Sequence, residues 1–360
     1  MIFSKEGLTR YVEEAFEDDG NTPFLSGKFL LLGISKLYSR IMAMRETFYK
    51  KRTFKSYELP VPTLSVGNIT AGGTGKTPMT LCIAAWLQSK GAKVAIVSRG
   101  YGGALSKEGA MVSDGTTIHL TAAEAGDEPL MMAEKCPGVP VMIGSDRVKA
   151  AQIACQRFSP DVIILDDAFQ HLRLKRHLNL LLADANRPFG NGHLIPRGSL
   201  REPLTALKRA DAVVLTRSRE GSRKAFQDLC PSWEKPVLCA THALSLGDAH
   251  GNETHPEAMG PVFLVSGIAK NHAFVEGAKS LGVTICGAMG FADHHPYTEE
   301  AVAAIEAEAK AKNAAAILTT DKDLVKLKKL ATMPLFTVTV NLDLGKDFPE
   351  LERLLAPLLP

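Results

Sequence analysis

The sequence predicts an α/β protein with a mostly parallel sheet and a second, smaller α/β unit. Short apolar runs alternate with helical patterns along most of the chain, as expected of strands joined by crossover helices. One run, Leu64 to Val66, leads into a glycine-rich loop, a Lys-Thr pair and a helical pattern from Met79 to Gln88. A chain of 360 residues is also long for one core.

The first 55 residues form a segment of their own. Residues 4–20 are mixed and acidic, without the charged start and apolar core of a signal peptide. No run reaches 18 consecutive apolar residues, so no membrane-spanning helix is expected. The sequence therefore reads as cytoplasmic, or as resting on a cytoplasmic surface. From Lys28 to Lys55, Lys28, Lys36, Arg40, Arg45, Lys50, Lys51, Arg52 and Lys55 stand against a single acid, Glu46. Ile34, Leu37, Ile41, Met44 and Phe48 recur among them at 3–4 spacing. This predicts a basic amphipathic helix from Phe29 to Phe48. Two readings stay open on these residues: docking on an anionic membrane surface, or packing on its own domain with the charges solvated.

Residues 65–78 carry the strongest signal. Thr70, Ala71, Gly72, Gly73, Thr74, Gly75, Lys76 and Thr77 make a candidate phosphate-binding loop between strand and helix. Glycines let backbone N–H groups turn toward a polyphosphate, and the helix start adds positive potential. Lys76 is placed to reach the β- and γ-phosphates of a nucleotide, and the Thr77 hydroxyl to meet Mg²⁺. Pro78 suits a first helical turn, where no N–H is needed. The strict pattern has Gly five residues before Gly75, and this chain has Thr70.

Gly91 ends that helix, and Val94 to Ser98 reads as the next strand. Residues 104–130 read as polar and irregular. Val139 to Ile143, Val162 to Leu165, Leu178 to Ala183 and Ala212 to Thr216 are further strands, with a helix over Asp146 to Phe158. Residues 218–236 are polar and contain Gly221, Pro231 and Pro236, which marks a boundary region. Alternation resumes with strands at Val262 to Ser266, Thr284 to Cys286, Ala316 to Thr319 and Leu335 to Val340. Helices are expected at Glu299 to Lys312, Leu324 to Leu330 and Phe348 to Leu359. The expected organisation is an N-terminal segment 1–55, a phosphate-loop domain 56–217, a smaller α/β domain 218–345 and a C-terminal helix 346–360.

Net charge is +3, too small to point to nucleic acid. The six cysteines include no Cys-x-x-Cys spacing, and most, in apolar surroundings, read as buried thiols in a reducing compartment. Val162 to Leu165 runs into Asp166 and Asp167, an apolar strand ending in acid as a Mg²⁺-holding carboxylate requires. On the residues alone, Asp127 of Gly126-Asp127-Glu128-Pro129 is an ordinary helix N-cap. Asp293-His294-His295 is equally an acid–base or metal-binding group, or a surface turn before the helix at Thr298. The arginines of the long segment 186–203 are candidates to grip a phosphate.

In order, the chain contains Gly67-Asn68-Ile69-Thr70-Ala71-Gly72-Gly73-Thr74-Gly75-Lys76-Thr77-Pro78, Ser98-Arg99-Gly100-Tyr101-Gly102-Gly103 and Gly126-Asp127-Glu128-Pro129. These are followed by Leu165-Asp166-Asp167-Ala168-Phe169-Gln170-His171, Arg187-Pro188-Phe189-Gly190 and Arg201-Glu202-Pro203-Leu204. Phe291-Ala292-Asp293-His294-His295 and Thr319-Thr320-Asp321-Lys322-Asp323 complete the set. Together these motifs resemble the tetraacyldisaccharide 4′-kinase family, which also accounts for Thr70. The resemblance implies a P-loop NTPase-like kinase domain, with MgATP as donor to the 4′-hydroxyl of an acylated glucosamine disaccharide 1-phosphate, giving lipid IV-A. It implies a peripheral enzyme at the cytoplasmic face of the bacterial inner membrane, with no nucleic acid and no obligate protein partner. It assigns Asp127 as the catalytic carboxylate with His294 as its partner across a domain cleft. It places Asp166, Asp167 and Glu202 near the metal, and makes the basic helix a membrane-docking element. Two other readings fit the phosphate loop alone: a nucleotide-hydrolysing switch, and a soluble small-molecule kinase or ligase.

Overall fold

The computed structural model describes residues 5–24 and 26–360. In chain order its helices and strands are α1 (Lys5–Glu17), α2 (Gly27–Lys50), β1 (Thr63–Asn68), α3 (Lys76–Ser89), β2 (Val94–Ser98), β3 (Ala110–Ser113), α4 (Ala122–Ala125), α5 (Asp127–Lys135) and β4 (Val141–Ile143). There follow α6 (Arg147–Phe158), β5 (Val162–Asp166), β6 (Leu178–Asp184), β7 (Ala212–Thr216), α7 (Ser222–Leu229), β8 (Val237–Cys239), β9 (Thr241–Asp248) and α8 (Pro256–Met259). The last are β10 (Val262–Ser266), α9 (Asn271–Ser280), β11 (Ile285–Gly290), α10 (Glu299–Ala311), β12 (Ala316–Thr320), α11 (Asp321–Leu327), β13 (Leu335–Asp343) and α12 (Phe348–Leu355).

The chain divides into two compact units, and neither is continuous in sequence. The first comprises the described residues of Met1–Val94 with Ala151–Thr241 and Leu342–Pro360; the second comprises Ala95–Ala150 and His242–Asn341. The expected segments 56–217 and 218–345 differ from these units in two places. Residues 95–150 go with the second unit, where α5 packs on α11. The polar stretch 218–236 is not a boundary: it contains α7, which leads into β8, and β8 pairs in parallel with β7. Polar composition hid α7 because only one of its faces is apolar, with Phe226 buried in the core.

In the first unit the strands run in the order β5-β1-β6-β7-β8, every pair parallel. Their residues are almost all buried, as befits strands covered on both faces. Ile69, Phe169, Leu181, Leu200, Leu215 and Phe226 form part of one core here. Parallel strands bring all their carboxyl ends to one edge, where the functional loops gather. In the second unit β2 and β4 are parallel and β3 pairs antiparallel with β4. This unit also holds a five-stranded sheet in the order β11-β10-β12-β13-β9. Helices α9 and α10 cover β10 and β11.

Helix α2 starts where expected, capped by Ser26, whose hydroxyl accepts from the Phe29 N–H. Its face toward the first unit is largely polar. Leu31 and Ser35 are buried, Ser35 donates to the Leu194 carbonyl, and Tyr38 to that of Arg201. The opposite face is apolar and exposed: Leu30 is 67% accessible, Leu37 59% and Met44 53%, with Ile34 and Ile41 exposed beside them. The expected apolar stripe therefore does not enter the core. Among the described residues no helix is long and apolar enough to cross a membrane. Of the six cysteines only Cys136 is buried, its thiol pushed up to about 11 by burial; the rest are half-buried, and all six are free thiols.

Candidate active site

The phosphate loop leaves β1 at its carboxyl end. At Gly67 the strand passes so close to Phe169 that a Cβ would lie 2.7 Å from both its backbone nitrogen and its Cβ. Gly75 adopts φ +80° and caps the start of α3, a conformation glycine takes without steric cost. The loop carbonyls are tied by donors. Asn68 Nδ2 reaches the Gly72 carbonyl at 3.4 Å, Arg217 that of Gly73 at 3.1 Å, and the Thr216 hydroxyl that of Thr74 at 3.1 Å. Because N–H and C=O of a trans peptide point oppositely, carbonyls held this way leave the N–H groups facing away from those donors. A Cβ placed on Gly72 or Gly73 would meet nothing within 4 Å, so the loop is open at both positions. Asn68 also donates to the Thr74 hydroxyl at 2.9 Å, and Ala71 N–H to the Ser199 carbonyl at 2.7 Å. Thr70 bridges to Leu200, which gives that position a bracing role.

Asp166 ends β5 directly beside Val66 of β1 and is 1% exposed. The Thr80 hydroxyl donates to its Oδ1 at 3.2 Å. Asp167 adopts φ +45°; Arg201 donates to its two oxygens at 2.9 and 3.0 Å, and Lys76 Nζ lies 3.9 Å from Oδ2. The fold thus joins the loop lysine to a strand-end acid. Glu202 is 3% exposed and is held by Arg209 and, at 3.9 Å, by Arg45. Among the described residues no three His, Cys, Asp or Glu side chains are grouped to hold a metal ion. Mg²⁺ takes one or two protein oxygens beside substrate phosphates; Thr77 in the first turn of α3 and Asp166 at the end of β5 are oxygen donors of that kind.

Two of the expected phosphate-gripping arginines do something else. Arg197 is fully buried and donates to the carbonyls of Ala15 and Asn21, to Asp18 and to the Thr22 hydroxyl. Arg187 holds the Glu17 and Asp18 carbonyls. Both anchor the segment that follows α1. No sequence signal marks this, since the partners are mostly backbone oxygens. Arg201, the third arginine of that segment, binds Asp167, and Arg217, which braces the loop, gave no sequence signal.

In the second unit the N-cap of α5 is Gly126, at φ +91°, and Asp127 is the first helical residue. The expected capping role of Asp127 is therefore corrected. A Cβ on Gly126 would lie 2.5 Å from the Tyr101 carbonyl, so the Gly100–Gly103 turn packs against this helix start and fixes its entry angle. The Asp127 side chain is nearly buried, and its Oδ2 accepts from His294 Nδ1 at 3.1 Å and Lys326 Nζ at 3.0 Å. His294 sits at φ +59°, with its ring 5.7 Å from that of Tyr101. His294 thus pairs with Asp127, 167 residues away, more closely than with neighbouring Asp293 at 3.8 Å. Both partners lie in the second unit, so the dyad forms within one unit and does not bridge two. Burial alone would raise the Asp127 carboxyl, but the His294 bond and the Lys326 charge outweigh it and hold the carboxyl below its ordinary range. The bond to Asp127 raises the His294 imidazole, against the opposing pull of burial.

The sequence model of the tetraacyldisaccharide-1-P 4′-kinase family matches residues 27–359. A tetraacyldisaccharide 4′-kinase of Desulfatibacillum aliphaticivorans is 44% identical over 324 residues, covering 84% of each chain. That of Geobacter metallireducens is 44% identical over 299 residues, covering 83% of this chain and 88% of its own. The crystal structure of LpxK from Aquifex aeolicus in complex with ATP superposes with a TM-score of 0.77 at 34% identity, over 92% of this chain and 99% of that one. With nearly all of its length inside these matches, the chain belongs to the tetraacyldisaccharide 4′-kinase family.

Proposed function

We propose that this kinase moves the γ-phosphoryl group of ATP to the 4′-hydroxyl of tetraacyldisaccharide 1-phosphate, the step that yields lipid IV-A in lipid A biosynthesis, and that Asp127 receives the hydroxyl proton. The carrying observation is the nearly buried Asp127 carboxylate, held on one oxygen by His294 and Lys326. A nucleotide-hydrolysing switch has no need of such a base for an acceptor hydroxyl. Phosphoryl transfer requires charge neutralisation, alignment and a proton acceptor. The amides of Gly72 to Gly75 and the Lys76 ammonium meet the first two needs at the phosphates. Thr77 and Asp166 would hold Mg²⁺, which would supply charge neutralisation at the phosphate oxygens. Asp167 with Arg201 keeps Lys76 in place, and Glu202 supports this shell through Arg209 and Arg45. Asp127 accepts the proton, and His294 orients it.

The exposed apolar face of α2, flanked by basic residues, docks the enzyme peripherally on an anionic bilayer at the cytoplasmic face of the inner membrane. The acyl chains then stay in the bilayer while the sugar reaches the site. The test is transfer of label from γ-labelled ATP to the lipid disaccharide by wild type and by Asp127→Asn. Asn matches the shape but cannot accept the proton, so kcat falls by roughly 10²–10⁴-fold while MgATP affinity holds. Full transfer by a folded Asn variant would remove Asp127 from the chemistry, and no transfer by wild type would reject the kinase reading.

A further inference from the structure

Asp127 Oδ2 accepts two bonds, while among the described residues no donor is bonded to Oδ1. The second donor, Lys326, is itself immobilised. Its side chain is 9% exposed, and its ammonium lies 3.2 Å from Asp323 Oδ1, 3.1 Å from the His295 carbonyl and 5.3 Å from the Tyr297 ring centroid. Asp323 is fixed in turn by the Gly267 N–H at 2.9 Å and the Thr320 hydroxyl at 2.7 Å, with no exposed surface. The result is a line of alternating groups, Asp323, Lys326 and Asp127 nearly buried and His294 half-buried at its end, built from α5, α11 and the turn after β11.

We propose that Lys326 is a positioning residue for phosphoryl transfer: it locks the Asp127 carboxylate with Oδ1 directed to the acceptor hydroxyl and keeps it ionised when His294 is neutral. This rests on the reading of Asp127 as the proton acceptor. A carboxylate bonded only by an imidazole can rotate about its Cβ–Cγ bond and exchange its two oxygens. Two donors on one oxygen, from different elements, remove that freedom. The charge argument is independent of the first. A buried carboxylate facing a neutral imidazole is pushed toward its protonated, inactive form, whereas an ammonium stays charged across the range in which histidine titrates. The other charged groups facing this site are already paired: Glu128 with Lys322 at 3.0 Å, and Asp323 with Lys326 itself. Asp293 lies 3.8 Å from His294 Nε2 and adds a negative charge on that side. Lys326 is therefore the cation bonded to the Asp127 carboxylate that does not depend on the His294 proton.

The test compares kcat against pH for Lys326→Met, Lys326→Arg, Lys326→Met/Asp323→Asn and Asp127→Asn, using lipid disaccharide in mixed micelles and γ-labelled ATP, with melting followed in parallel. Removing the charge moves the acid limb of the profile upward by at least about one pH unit. Activity on that limb then falls at least about tenfold more than on the alkaline plateau. Lys326→Arg keeps the charge and the wild-type limb. The double variant removes the Asp323 charge that Lys326→Met leaves unpaired, so the fold is retained and the limb stays displaced. A uniform loss at every pH that tracks melting, or a Lys326→Met profile superimposable on wild type, overturns the proposal. If Asp127→Asn is inactive in that second case, the proton-acceptor reading stands and only the positioning role falls. An active Asp127→Asn removes both.

Discussion

Gly67 of β1 and Gly73 of the loop it launches show at the residue scale why two neighbouring glycines are not equivalent. A side chain on Gly67 meets Phe169 at 2.7 Å on backbone as well as side-chain atoms, so β1 and the turn after β5 must separate. Gly67→Ala is expected to cost about 1–3 kcal/mol, the range for overpacking. It also shifts the strand that launches the loop. At Gly73 a Cβ meets nothing within 4 Å, and Gly73→Ala should leave stability within about 0.5 kcal/mol, as for a surface change. On the proposed reading of this loop as the phosphate cradle, that methyl obstructs the phosphates and ATP affinity should still fall. Melting and ATP titration of the two variants separate the effects. Equal melting of Gly67→Ala and wild type would contradict the close approach, and undiminished ATP binding by Gly73→Ala would contradict the cradle.

Among the elements, α2 is inverted relative to an ordinary surface helix. Its polar side chains serve the protein: Ser35 and Tyr38 bond to loop carbonyls, and Arg45 donates to the Gln170 carbonyl at 2.9 Å while facing Glu202. Its row of leucine, isoleucine and methionine faces outward. Exposed single apolar residues are common, but a contiguous stripe marks an interaction surface. Replacing Leu37 and Ile41 by Ser removes apolar area that the fold does not use. Melting is therefore expected to drop far less than the roughly 2–5 kcal/mol per residue of a core truncation. Sedimentation with anionic vesicles should weaken, and further in high salt, because exposed charges are screened beyond about 8–10 Å at physiological ionic strength. A large loss of melting with unchanged sedimentation would make α2 a core element.

On the scale of the whole molecule, chain-distant segments complete each unit. The C-terminal residues return to the first unit: Leu351 and Leu355 are buried, Trp86 Nε1 donates to Glu352 at 2.8 Å, and Asp347 binds Arg223 and the Cys239 N–H. Burial opposes the Asp347 charge, but the Arg223 bond and the Cys239 N–H outweigh it and lower its carboxyl. A lowered carboxyl stabilises the fold fully above the unfolded value of about 4 and loses that contribution as pH falls through the folded one. Asp347→Asn should melt below wild type at pH 7, with the gap closing as pH falls below the ordinary carboxylate range. A gap independent of pH would mean that the carboxylate charge is not what Arg223 and Cys239 recognise.

Local physics was legible along the chain. Strands β5, β7, β10 and β12 stand where apolar runs put them, because a parallel strand covered on both faces needs nothing else. The strand–loop–helix unit around Lys76 was legible because its glycines and the Lys76-Thr77 pair are consecutive, and Asp166 as the end of β5 because it closes an apolar run. Helix α2 was legible as amphipathic, but periodicity cannot say which face turns inward; the hydrogen bonds of Ser35 and Tyr38 decided that. Spacing also could not pair Asp127 with His294 or bring Lys326 to the same oxygen, nor show that Arg197 holds backbone 15–22. On local grounds Asp127 looked like a cap, and only the φ +91° of Gly126, set by the Gly100–Gly103 turn against it, made Asp127 the first helical residue with its carboxylate turned to His294. Contacts within a turn or strand are written in neighbouring residues, whereas a group shared by α5, α11 and a distant turn exists only once the tertiary fold has closed those loops.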